Sequence, residues 1–171
     1  MTEDEIMSET PNAATTGNSP KTPEINSTSL IINGQYIKEL SFEVPNAPKI
    51  FQDLSKATPD IKINVDVQAK NIVENSYEVF LEISANCNVN NEQAFVLDLV
   101  YAGVFTLNIN SNMLQPTLLV ECPKMLFPFA RNIIADISRD GGFPPIMLAP
   151  VDFDKMYNKE IDKSETGGSK D

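Results

Sequence analysis

Side chains able to do acid–base or nucleophilic work are sparse in these 171 residues, and their spacing argues against a reaction centre. There is no histidine. Ser-His-Asp and Cys-His arrangements, which need an imidazole as base, are therefore excluded. Cys87 and Cys122 lie far apart in sequence. Two such cysteines permit a disulfide, but they read as reduced, packed thiols, and without histidine they make no zinc set. Cys122 precedes a proline at a helix start, where a thiolate would be stabilised. No base accompanies it, and packing is the simpler role. Asp152 and Asp154 could be drawn as an acid/base pair; their place at the head of an amphipathic segment fits a helix cap and a first-turn acid better. Glu78 and Glu82 share one strand face and read as solvated surface. Gly141-Gly142 lacks both the following Lys-Ser/Thr and the preceding strand of a phosphate loop. No catalytic residue, metal site or cofactor is assigned.

What the chain does carry is apolar patterning. Residues 122–154 organise it. Leu126, Phe129, Ile133 and Ile137 recur at helical spacing, widened by Ala130 and Ile134. Pro123 suits the first turn, Pro128 should kink or start the helix, Arg139 meets its negative end and Gly141-Gly142 stops it. Residues 143–150 are apolar but proline-broken, so they should pack on something. Upstream are four strand-like segments. In the first, Tyr36, Leu40, Phe42 and Val44 alternate with Ile37, Glu39, Ser41 and Glu43. The second alternates from Ile61 to Lys70, the third from Tyr77 to Asn88 with Phe80 as an exception, and the fourth covers 94–109 with a bend at Ala102-Gly103. Residues 49–60 connect the first two strands, and Phe153, Met156, Tyr157 and Ile161 fit a short final helix. Strands first and helices afterwards predict an α+β fold with an antiparallel meander.

The formal net charge is −11, which disfavours a nucleic-acid partner and suits basic ones. The N-terminus, MTEDEIMSET, lacks the basic start and apolar run of a secretory signal, and no stretch approaches the roughly 20 apolar residues of a membrane span. A cytosolic protein without direct membrane insertion is expected. Residues 1–28 read as a disordered acidic and polar tail, 29–163 as one domain and 164–171 as a second disordered tail. The fourth strand is apolar on one face and partly apolar on the other, and the long helix is apolar over a broad arc, which predicts burial between subunits.

Four runs, ELSFEVPNAPKIFQ (39–52), AFVLDLVYAGVF (94–105), CPKMLFPFAR (122–131) and GGFPPIMLAPVDF (141–153), together resemble the SecB family of protein-export chaperones, over about residues 36–157. The resemblance implies a four-stranded antiparallel sheet followed by a long helix and a short C-terminal helix, assembled as a homotetrameric dimer of dimers. It implies an ATP-independent chaperone, without cofactor, that holds unfolded precursor proteins and passes them to the motor SecA. A client groove would be lined by Phe51, Leu54, Ile61, Ile63, Val65, Phe153, Met156 and Tyr157. Glu39, Glu43, Val96 and Asp98 match the family's SecA-binding positions. Leu97, Leu99 and Tyr101 match those that join dimers, with Ile133 and Ile137 beside them. Two departures stand out. The family's crossover tryptophan is absent, Leu54 being the nearest substitute, and its Gly-Gly bend is Ala102-Gly103. The alternative reading is a SecB-like chaperone dedicated to one partner, such as an antitoxin.

Overall fold

A computed structural model describes residues 29–167, with side chains described up to 163. The segments 1–28 and 168–171 lie outside the described residues. Strands β1 (Ser29–Glu43), β2 (Asp60–Val73), β3 (Ser76–Val89) and β4 (Glu92–Asn108) come first. Every pairing is antiparallel, in the spatial order β1-β4-β3-β2. The last three strands form the expected meander, because Asn75 and the Asn90-Asn91 pair adopt the positive φ that tight hairpins require. β1 joins beyond β4, so β1 and β2 are the two edges.

β1 starts at Ser29, earlier than the alternation beginning at Tyr36 suggested, and it is not regular. Its register slips between Ile32 and Gly34 and again between Ile37 and Glu39. The second slip corrects the predicted faces. Leu40 and Phe42 stand beside Leu99 and Leu97, whereas Tyr36 stands beside Ala102 on the opposite face, and Ile37 beside Tyr101. One extra residue reverses the side chains before it, here residues 34–37 until the slip after Ile32 restores them, which simple alternation cannot reveal.

A short helix α1 (Ile50–Leu54) follows a turn containing the cis Ala47–Pro48 bond. After β4 the chain winds continuously through α2 (Ser111–Pro116), a π-helical turn at Thr117–Glu121 and the long α3 (Cys122–Asp140). α3 runs through Pro128 as one element. It covers one face of the sheet, and its buried residues include Leu126, Phe127, Ala130, Ile134 and Ser138. The stripe read from the sequence is thus displaced: Phe129 is exposed and Ile133 and Ile137 are only half-buried. With apolar residues over so broad an arc, hydrophobicity alone does not fix the helix phase; the small Ala130 and Ser138 let the backbone approach the sheet. The following segment packs as required, burying Phe143, Ile146 and Leu148. The last helix, α4 (Phe153–Gly167), runs on beyond residue 163. Asp152 caps it, its Oδ1 accepting from the Lys155 amide at 2.9 Å.

The core lies between the sheet and α3. Val79, Leu81, Leu97, Leu99, Phe105 and Leu126 are among its buried residues. Cys87 and Cys122 are buried free thiols, and burial pushes the Cys122 thiol up to about 12.

Candidate functional site

Two surfaces emerge, one on each side of the sheet. The first is an apolar groove of about 320 Å³ at the β2 edge, lined by Leu54, Pro59, Ile61, Ile63, Phe143 and Met147 among others. Its floor is the start of β2 and its neighbour Cys87; one wall is the end of α1, and the other is the proline-broken run after α3. Ile61 and Ile63, near the start of β2, are 41% and 43% exposed although both are fully apolar. Among the described residues β2 is an edge strand, and no strand stands beside its outer backbone groups. A concave apolar surface beside unpaired strand backbone can take an extended polypeptide.

A run of four rings holds this groove in shape. Phe42 stacks on Phe95 at 5.5 Å, Phe95 meets Phe143 edge-on at 4.8 Å, and Phe143 lies 5.4 Å from Phe51. Phe143 was not among the predicted groove residues, although its place in GGFPP after a helix stop was the available signal. The predicted groove residues divide. Leu54, Ile61 and Ile63 line it, Phe51 backs it through Phe143, and Val65 is half-buried farther along β2. Met156 and Tyr157 gather instead with Val67, Leu119 and Glu160 around a hollow that is nearly filled, about 10 Å³. Phe153 is 2% exposed and packs edge-on against Phe127. It anchors α4 and cannot contact a ligand directly.

The second surface is the sheet face turned away from α3. Glu39, Ser41 and Glu43 of β1 stand beside Val100, Asp98 and Val96 of β4. All four predicted acidic-face positions are therefore side by side. A shallow hollow of about 370 Å³ there is lined by Glu39 and Asp98 and by two acids not singled out in the sequence, Asp66 and Glu82. Farther along the same face, Glu78 is no solvated acid. Its Oε1 accepts from Lys38 Nζ at 2.9 Å and from the Tyr36 hydroxyl. Lys38, and then Tyr36, hold the Glu78 carboxyl below its usual range, while the bond to Glu78 raises Tyr36 to about 12. Lys38 also lies 4.3 Å over the Phe80 ring, which explains how that aromatic tolerates the polar face. Asp152 and Asp154 are separately engaged, as the α4 cap and in an ion pair with Lys124 at 2.9 Å.

Leu97 and Leu99, predicted at an interface between chains, are 0% and 1% exposed. They belong to the protomer's own core under α3, with no surface left for a partner. Tyr101 is nearly buried and stacks on Phe129 at 6.3 Å; of the predicted interface residues on α3, Ile133 and Ile137 retain surface.

Comparison with known proteins decides the lineage. The family described as Preprotein translocase subunit SecB matches residues 9–164. The chain belongs to the SecB family. Among its curated SecB relatives, the protein-export protein of Paramagnetospirillum magneticum is 48% identical over 137 residues, 80% of this chain and 88% of the relative. That of Rhodospirillum rubrum is 46% identical over 145 residues, covering 85% and 90%. A solved Mycobacterium tuberculosis SecB-like chaperone, in complex with a ChAD peptide from an antitoxin, aligns with a TM-score of 0.55 at 17% identity, covering 72% of this chain and 91% of that one. This last likeness shows that the SecB fold is shared. The SecB family is one of chaperones rather than enzymes, and no helix among the described residues is long and apolar enough to cross a membrane.

Proposed function

We propose that the β2-edge groove receives extended apolar segments of unfolded precursor proteins and that the acidic sheet face receives the motor SecA, to which clients are passed. Membership of the SecB family makes the chain a protein-export chaperone. The observation that carries the finer reading is the groove: half-exposed isoleucines beside an unpaired strand edge, walled by rings and prolines. Side-chain burial there contributes about 1.5–3 kcal/mol per large apolar residue before ordering costs, and strand backbone accepts any sequence. No nucleotide enters such a cycle: the client is held by burial and released when SecA or folding competes for it.

Glu39, Glu43 and Asp98, joined by Asp66 and Glu82, suit a basic partner segment on the opposite sheet face. Holding and hand-over would then use separate surfaces. A homotetramer built as a dimer of dimers is supported by β1, a long edge among the described strands, whose Ile32, Ile37 and Leu40 stay exposed, Ile37 beside the Tyr101 that stacks on Phe129. The cytosol is the proposed location. The second reading, a chaperone dedicated to one client, is favoured by the antitoxin peptide held by the solved relative; the acids grouped on one face favour the general exporter.

Two substitutions separate the surfaces. Ile63→Asp should weaken binding of an unfolded precursor at least tenfold and leave SecA binding unchanged. Asp98→Lys should do the reverse. If each variant lost both partners while keeping its assembly state, the assignment of faces would be wrong.

A further inference from the structure

We infer that Ser138 is the positioning residue that sets the wall of the client groove. The inference rests on the groove reading above. Ser138 is the one fully buried polar residue of α3, 0% exposed. Its hydroxyl donates within the helix, to the Ile134 carbonyl at 2.8 Å. That leaves a lone pair, and the amide of Ile146 donates to it at 3.0 Å. Its backbone carbonyl accepts from the amide of Phe143, also at 3.0 Å. One residue thus fixes both ends of the turn that becomes the groove wall.

The chemistry of the wall explains why such a fastening is needed. Pro144 and Pro145 have no N–H, so after Phe143 the next available donor is Ile146. Ile146 is buried, and a buried N–H without a partner is costly. Among the described residues no strand pairs with the wall to supply a carbonyl, and the Ser138 hydroxyl fills that need. With Phe143 and Ile146 tied down, the residues between and after them, Pro144, Pro145 and Met147, are turned outward to line the groove. Met147 is 65% exposed. Without the hydroxyl, the helix would still form, and Phe143 would remain among its rings. The Ile146 end would be released, and a groove walled on one side only would hold an apolar segment more loosely. Preorganisation of this kind acts on affinity without contact between Ser138 and the client.

The test uses the full chain, an unfolded apolar peptide and amide hydrogen exchange. In the unsubstituted protein the Ile146 amide should exchange far more slowly than that of its exposed neighbour Met147. In Ser138→Ala it should exchange about tenfold faster, with amides at Leu97 and Leu99 unchanged, and peptide affinity should fall by about the same factor. Ser138→Thr, which keeps the acceptor, should restore both. Normal peptide affinity in Ser138→Ala, or an Ile146 amide in the unsubstituted protein as labile as Met147, overturns the inference. Absence of peptide binding by the unsubstituted protein is a failure of the groove itself, seen before any variant is made, and removes the inference with it.

Discussion

At the scale of single residues, the same side-chain type takes opposite roles according to what surrounds it. Phe143 is buried against three other rings, whereas Phe129, on the neighbouring helix, is half in water. Phe143→Ala should cost about 3–5 kcal/mol in urea unfolding, since the rings around it cannot all collapse inward, and should abolish client binding as the groove wall loses its root. Glu78 makes a pH-dependent contribution. Its carboxyl is held low by Lys38 and Tyr36, so the folded state binds its proton less readily than the unfolded chain does. The stabilisation is present above the ordinary carboxylate range and is lost as pH falls through the lowered folded value. In urea titrations repeated across acid pH, Glu78→Gln should remove part of the decline seen in the unsubstituted protein; an unchanged profile would show that the pairing has no net effect.

At the scale of elements, the turn after α3 is the most constrained. Gly142 has φ 90, and a Cβ there would meet the Phe51 ring at 3.0 Å. Gly142→Ala should therefore destabilise by about 1–2 kcal/mol and also shift α1 away from the wall, which client affinity will report. The sequence made this element visible but not its partners. The strands of the meander were legible because their alternation is strict, and Asp152 was legible as a cap because an acid stood three residues before an available amide. The Lys38 bulge was not, since a one-residue slip leaves the composition of β1 unchanged while exchanging its faces. Nor was the phase of α3. A helix apolar over a broad arc buries whichever side lets its small residues meet the sheet, and that depends on the sheet. For the same reason Leu97 and Leu99 looked available to a second chain when α3 already covers them.

At the scale of the whole molecule, the proposed function divides the apolar surface that one chain leaves open between two uses. In the proposed assembly the β1 edge, where Ile37 and Leu40 are exposed, would offer backbone and side chains to a second copy. Leu40→Lys should reduce the native mass towards that of the single chain, measured by light scattering; an unchanged mass would move the assembly interface elsewhere. In the same proposal the edge at β2 offers the groove, and the acidic face between them would take a basic partner. The claim joining these surfaces is that this chain arrests folding by holding, without consuming nucleotide. The most direct measurement is the refolding rate of a slow-folding precursor diluted from denaturant, with and without this protein and with no nucleotide present. The account predicts arrested refolding that saturates near one assembled oligomer per client and is relieved in Ile63→Asp. Refolding at the unassisted rate, with the protein folded and assembled, would contradict it.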